Sequence, residues 1–387
     1  MRITFLMPCY MWGPSGGYRV VYEYANRLVA RGHRVFVLHP RNLKFAPSGP
    51  MTFRARLRNA KTRATELVAT PSVDWHPIDH RVEMLFVPSS EERFVPDADV
   101  IFATAWHTVQ SVLKVGPVKG EKCYLIQHYE TFLGRRDLVD ATWRVPIHKV
   151  VVSKWLAEIG RDLRASELTH IPNGIDHARY FLKQHIPGRP PRVAMMCSSI
   201  PFKGSRKGIE ALQIAKRRYP DLKVVLFGKE RRKQWIPGSF EYYRDPAQEF
   251  IVDEIYNKSS IFLSPSLSEG FALPPAEAAA CGCAIVASDS GGIRDYVEDG
   301  LSGLLSQPGD ATALAANLCR VLGNDSLRMQ FARAANAAVK RLDWERSTDL
   351  IEKFLVETAV QARPKENVVR LGNHQDSATA RLGMETT

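Results

Sequence analysis

Leu267-Ser268-Glu269-Gly270-Phe271-Ala272-Leu273-Pro274-Pro275-Ala276-Glu277-Ala278-Ala279-Ala280-Cys281-Gly282 follows the apolar run Ile261-Phe262-Leu263 and the breaker triplet Ser264-Pro265-Ser266. A short apolar run closed by serine and proline reads as a buried strand. A helix is predicted to begin at Pro274 or Pro275, because the N–H groups of a first turn have no intrahelical partner to lose and the alanines that follow propagate well. The loop between strand and helix, Gly270 to Leu273, can aim backbone N–H groups at an anion, since a helix N-terminus carries partial positive charge. Glu269 and Glu277 bracket it with acceptor-only side chains. Backbone that favours an anion, set between two carboxylates, suits a ligand that is part phosphate and part polyol.

Working outward, the same strand-to-helix grammar recurs at both ends of the chain. Arg2 to Met7 is an apolar strand, Gly13-Pro14-Ser15-Gly16-Gly17 follows it, and Val20, Val21, Tyr24, Leu28 and Val29 recur at helical spacing before Gly32. With the strand Val35 to Leu38 these make a βαβ unit of a parallel sheet. A dinucleotide site does not fit, because the loop lacks Gly-x-Gly-x-x-Gly and His39-Pro40 stands where a ribose-binding acid is needed. Strands are also predicted at 83–87, 99–103, 122–127 and 149–152. His128 lies just past the third of these, where an open parallel sheet presents residues to a ligand; Trp106-His107 has the same placement after 99–103. A second series starts at Arg192, with a strand to Cys197, a helix over 209–218, a strand over 222–227, a helix over 247–257 and a strand over 284–287. Its first loop carries Lys203, Arg206 and Lys207 beside Gly204 and Gly208, cations and close-approaching backbone of the kind a diphosphate needs. Helices are expected at 311–322, 327–342 and 344–359.

Length and charge bound the remainder. A chain of 387 residues exceeds one ordinary core and implies two domains. The turn-forming Ile171-Pro172-Asn173-Gly174-Ile175-Asp176 marks the passage from one to the other. The formal net charge of +12 points to anionic partners. From Tyr24 through Thr65 there is no acid while arginine and lysine recur, so residues 27–63 are a candidate contact for an anionic membrane surface, with 52–69 read as a basic amphipathic helix or lid. Nucleic acid ranks well behind a membrane surface and is not expected as a partner, because aromatic residues are not interleaved with these cations in the regular way that stacking platforms require. No apolar run reaches the roughly 18 residues of a membrane span and the N-terminus lacks signal-peptide form, so a cytoplasmic protein, peripheral at the inner face of the membrane, is expected. The six cysteines show no Cys-x-x-Cys pairing and are expected to be reduced and buried. Residues 363–387 are polar and expected to be a disordered tail.

At this point the residues carry a resemblance. Ser268-Glu269-Gly270-Phe271-Ala272-Leu273-Pro274-Pro275-Ala276-Glu277, with Gly16-Gly17, Ile171 to Asp176 and Ser290-Gly291-Gly292-Ile293-Arg294-Asp295 in that chain order, resembles the family 4 glycosyltransferases, retaining enzymes of the GT-B architecture. The likeness spans about residues 1–360. It implies an α/β fold of two Rossmann-like domains whose parallel sheets face a central cleft: an acceptor-side domain over 1–172, a sugar-nucleotide domain over 173–343, and a helix over 344–362 packing back toward the first. It further implies a sugar-nucleotide donor, a glycan or lipid-linked acceptor, and neither metal nor cofactor. By resemblance, Glu269 meets the donor sugar, Gly270, Phe271, Ala272 and Leu273 present N–H groups to sugar and phosphate, and Glu277 accepts from ribose. Lys207 is similar to the diphosphate lysine, Gly16 and Gly17 approach the phosphates from the opposite domain, and His128 lies near the reactive centre. One position departs from the pattern. The arginine that the family places before the lysine is missing from Ile200-Pro201-Phe202-Lys203, leaving Lys203 or Arg206 to supply the second phosphate cation. Epimerisation of a sugar nucleotide, or binding without turnover, are the other readings compatible with such a chain.

Overall fold

The apolar strands of the sequence do not alternate. Ile3, Phe5 and Leu6, and Val35 through Leu38, are buried along their whole length, as a parallel strand covered by helices on both faces requires. The computed structural model describes residues 1–11, 13–41 and 72–362. In its first half, β1 (Arg2–Leu6), β2 (Arg34–Pro40), β3 (Glu83–Val87), β4 (Val100–Ala103), β5 (Glu121–Ile126), β6 (His148–Val151) and β7 (Leu168–His170) form one sheet in the order β3-β2-β1-β4-β5-β6-β7. In the second half, β8 (Arg192–Met196), β9 (Lys223–Gly228), β10 (Glu241–Arg244), β11 (Ile261–Ser264), β12 (Ala284–Ser288) and β13 (Gly303–Ser306) form another, β10-β9-β8-β11-β12-β13. All pairings in both are parallel. This is the two-sheet α/β architecture expected from the sequence.

Each sheet reverses its strand order once, at β1/β4 and at β8/β11. Connections leaving the carboxyl ends of strands at such reversals diverge and leave a crevice for ligand. The first reversal contributes the segment before helix Gly16–Ala30; the second contributes the turn before helix Ser205–Arg218 and the one before helix Leu273–Ala280. These three helix N-termini are therefore the positions from which the fold can address a shared ligand.

After the second sheet the chain returns. Helix Trp344–Ala362 packs on helix Gly16–Ala30 and on β4 and β5. Trp344 meets Tyr24 edge-on at 5.3 Å and Phe354 lies 6.1 Å from Phe102. Arg27 and Arg31 pair with Glu345, Arg31 also with Asp349 and Glu352, and His33 with Glu352.

Arg27 and Arg31 open the acid-free run, yet acids distant in sequence neutralise them, and Arg34 pairs with Glu83. The start of the basic segment is thus committed to internal contacts. The predicted helix at 52–69 and the tail at 363–387 lie outside the described residues. Two further differences bear on the site. The helix expected over 209–218 begins at Ser205, and the one expected over 247–257 is a single turn, Gln248–Phe250, that continues as a π-helical segment, Ile251–Tyr256.

Candidate active site

Glu269 leaves the end of β11 with its backbone tied to the segment after β12. Its N–H donates to the Ser290 carbonyl at 2.8 Å, and the Gly292 N–H donates to the Glu269 carbonyl at 3.1 Å. The Ser290–Asp295 motif is therefore a brace for the loop. It also reaches the first half of the chain, where Asp295 accepts the Lys154 N–H at 3.1 Å at the start of helix Lys154–Asp162. Beyond Glu269 the backbone turns sharply. Ala272 adopts the left-handed conformation at φ 67°, a costly state for a residue with a Cβ. The Tyr296 hydroxyl holds it there by donating to the Ala272 carbonyl at 2.6 Å. Leu273 then opens an eight-residue helix with prolines in its first turn. The amides from Gly270 to Leu273 lie at that helix N-terminus, as the sequence predicts.

The carboxylate of Glu269 is about one-tenth exposed. Lys203 Nζ donates to both its oxygens, at 2.8 and 3.0 Å, and Ser266 Oγ donates to Oε1 at 2.7 Å. Lys207, the expected diphosphate lysine, is elsewhere. Gly204 takes a left-handed conformation at φ 63°, and a side chain there would collide with the Pro265 carbonyl. Ser205 Oγ accepts the Ser198 N–H at 2.9 Å. The helix consequently starts at Ser205, placing Arg206 and Lys207 in its first turn. Lys207 is half exposed and donates to Glu210 at 2.9 Å. Arg206 lies over the Trp235 ring at 5.7 Å. Of the three cations, Lys203 is the one brought to the Glu269 carboxylate, whereas Lys207 stands in the first turn of its helix with Glu210 as partner.

Glu277 sits one turn into its helix with its side chain almost wholly buried. Arg19, from helix Gly16–Ala30 of the first sheet, pairs with Oε1, and the Tyr256 hydroxyl approaches Oε2 at 3.4 Å. Arg19 also donates to the Tyr180 hydroxyl at 3.3 Å. Tyr256 is delivered by the π-helical segment. Arg19, Tyr180 and Tyr256 all escaped the sequence reading; Arg19 alone left a trace, as a cation two positions beyond the glycine pair.

The first half of the chain supplies the opposite wall. Gly16 and Gly17 occupy the first turn of their helix, and a Cβ added at Gly16 would touch Leu273 at 3.9 Å. Gly270 is pressed against the Gln127 carbonyl so closely that any side chain would overlap it. His128 follows β5 and its Nε2 donates to the Ser268 carbonyl at 3.2 Å. Burial pushes its pKa below the ordinary histidine value, which leaves a neutral ring with its proton on Nε2. Phe132 meets this ring edge-on at 4.7 Å and lies 4.1 Å from Phe202, which approaches from the second half. His107 belongs instead to first-sheet packing, where burial drives its pKa down to about 4. The amide of its neighbour Trp106 donates to Glu130 at 2.7 Å.

Residues 178–338, which include both carboxylates, Lys203 and the loop between them, match the family model described as glycosyl transferases group 1. Residues 178–338 form a group 1 glycosyltransferase domain. Among curated relatives, a phosphatidyl-myo-inositol mannosyltransferase of Mycobacterium tuberculosis is 29% identical over 226 residues, covering 51% of this chain and 58% of that protein. The chain thus aligns with little more than half the length of this relative. The fold extends the likeness beyond the glycosyltransferase domain. Sucrose-phosphate synthase from Thermosynechococcus elongatus superposes with a TM-score of 0.68 at 15% identity, covering 93% of this chain and all of that one. A HepE protein of Anabaena, solved in complex with UDP and glucose, superposes at 0.67 and 18% identity over 92% of this chain and all of that one. The architecture is GT-B.

Proposed function

We propose that the protein transfers a sugar from a nucleoside diphosphate sugar to a glycan or lipid-linked acceptor, with retention at the anomeric carbon and without a metal, in bacterial cell-surface polysaccharide or glycolipid assembly. The observation that carries this reading is the pair of buried carboxylates separated by an N–H-lined helix entrance, with Lys203 on one side and the Gly16-Gly17 turn opposite. Ribose at Glu277 and sugar at Glu269 leave the diphosphate between them, over the amides of Gly270 to Leu273. The neutral imidazole of His128 borders the sugar position. The group 1 family match and the nucleotide and sugar bound to the HepE protein favour such a donor. The phosphatidylinositol substrate in the mannosyltransferase's name favours a lipid-borne acceptor.

In the proposed step the bond from the anomeric carbon to the phosphate oxygen breaks while the acceptor oxygen bonds to the same face of that carbon. The acceptor's proton passes to the departing phosphate oxygen, so no protein base is required. Lys203 and the loop amides stabilise the negative charge that grows on the leaving group, as preorganised donors do. The Phe132–Phe202 contact lies beside His128.

A panel of UDP-, GDP- and ADP-sugars tests the reading. Ligand at 100 times its Kd stabilises the folded state by about 2.7 kcal/mol, and thermal denaturation reads this directly. One nucleotide class is expected to stabilise, with nucleoside diphosphate released when acceptor is added and the product's anomeric configuration matching the donor's. No stabilisation by any member of the panel refutes the proposal; turnover of donor to an epimer without acceptor replaces transfer with epimerisation.

A further inference from the structure

The Arg19–Glu277 pair joins residues 258 positions apart, on helices that belong to different sheets. Both partners are buried or nearly so, with side-chain exposures of 20% and 4%. A carboxylate this enclosed is costly without a cation, so Glu277 depends on the first half of the chain for its charge. The geometry says more. An ionised carboxylate offers about four acceptor positions, two on each oxygen. Arg19 occupies one on Oε1 and Tyr256 faces Oε2. One acceptor position is left on each oxygen, and two acceptors side by side match a vicinal diol. The pair borders a small cavity between the sheets, also lined by Asp176, Arg179, Tyr180 and Trp344.

We propose that Arg19 is a positioning residue for the donor's ribose: reaching from the first half of the chain, it orients Glu277 so that the two oxygens receive the 2′- and 3′-hydroxyls. This inference rests on the donor reading above. Arg19 touches the carboxylate and not the sugar. Its second contact, to the Tyr180 hydroxyl at 3.3 Å, fixes the guanidinium plane, and Gln248 reaches the same hydroxyl from the other side. Ribose recognition is therefore shared across the cleft. A nucleotide is read as a ribonucleotide only while the two halves are together.

The test compares UDP, GDP and ADP with their 2′-deoxy counterparts by calorimetry, in the full chain and in Arg19→Met, Arg19→Lys, Arg19→Gln and Glu277→Gln. The unaltered protein is expected to prefer the ribonucleotide by about tenfold, the value of one well-made hydrogen bond to a charged group. Arg19→Met and Arg19→Gln bring the ratio to within about twofold of unity, as Glu277→Gln does, while Arg19→Lys retains most of the preference. Adding Arg19→Met to Glu277→Gln changes the ratio no further, because both act through one carboxylate. If Arg19→Met and Arg19→Gln weaken both nucleotides equally and keep the ratio, Arg19 is only structural and the inference fails. It fails also if those variants bind the ribonucleotide more tightly, which makes Arg19 a competitor of ribose. If the unaltered protein binds none of the three ribonucleotides, the donor reading itself falls, and this inference falls with it.

Discussion

Replacing Lys203 with Met separates two roles that one ammonium group combines. Its Nζ lies 2.8 Å from the nearer oxygen of Glu269, and the side chain is about one-fifth exposed. A unit charge about 4 Å from a developing oxyanion, at an effective dielectric of roughly 20, contributes about 4 kcal/mol. Solvent at the exposed edge lowers this toward the roughly 2.7 kcal/mol lost when one oxyanion donor is deleted. The expected fall in kcat is therefore about 10²- to 10³-fold. Stability also drops, by about 1–3 kcal/mol, because Glu269 keeps only Ser266 as a partner. Adding Glu269→Gln to Lys203→Met recovers most of that stability and none of the rate. Lys207→Met, which removes a half-exposed side chain paired with Glu210, changes kcat by less than about threefold, in line with the small worth of surface pairs. Nucleoside diphosphate release measures the rate and chemical denaturation measures stability. A Lys203→Met enzyme within about threefold of normal, or a Lys207→Met enzyme equally impaired, refutes the assignment.

The remaining predictions address packing, acidity and location. Gly270→Ala forces a side chain into the Gln127 carbonyl; nucleotide affinity is expected to fall by more than about tenfold in calorimetry, since overlap with backbone cannot be relieved by a rotamer change. His39 is buried, with Tyr22 and the Cys9 carbonyl about its ring, and burial lowers its pKa to about 4. The unfolded chain therefore takes up this proton first. Stability from His39 is complete above about pH 6.5 and lost as pH falls toward 4, by about 2 kcal/mol between pH 7.5 and 5, and His39→Gln should remove that slope from denaturation curves. Glu130 acts in the opposite sense. Burial raises its pKa to about 7, so its contribution declines as pH rises from about 4.5 through 7, and Glu130→Gln should flatten that limb. Vesicles with anionic lipid are expected to co-sediment the protein and neutral vesicles are not, on the strength of the cations between Arg41 and Arg63 in the sequence; equal binding to both removes the electrostatic case.

What could be read from the sequence was what is local. The helix entrance between Glu269 and Glu277 is specified within one stretch, by a strand breaker, prolines and alanines, and the structure places it as expected. The parallel sheets followed from apolar runs spaced by helical periodicity. That Lys203 would reach Glu269 while Lys207 meets Glu210 was not legible, because the start of a helix depends on backbone conformation. Gly204 in its left-handed state and the Ser198–Ser205 hydrogen bond settle where the helix begins, and neither leaves a periodic signal. Ala272 is a similar case, since nothing in an alanine announces a left-handed turn held by the hydroxyl of Tyr296. Arg19 was hidden for another reason. Its partner lies in the other half of the chain, and a cation on an amphipathic helix reads as solvated until tertiary structure buries it. At the start of the acid-free run the converse holds: Arg27 and Arg31 look unpaired in sequence because Glu345, Asp349 and Glu352 are remote in sequence and adjacent in space.

The returning helix Trp344–Ala362 also sets an order of events during synthesis. The strands of the first sheet leave the ribosome early, and domains generally fold as they emerge, amino-terminal part first. Here the covering for Phe102 and Tyr24 is carried by Phe354 and Trp344, which are made only after the whole second sheet. Until then the nascent first half holds an apolar face open to water, at the hazard of self-association. A gene truncated after residue 343 should accordingly yield aggregated protein even though both sheets are encoded in full, and supplying residues 344–362 as a separate peptide during translation should rescue part of it.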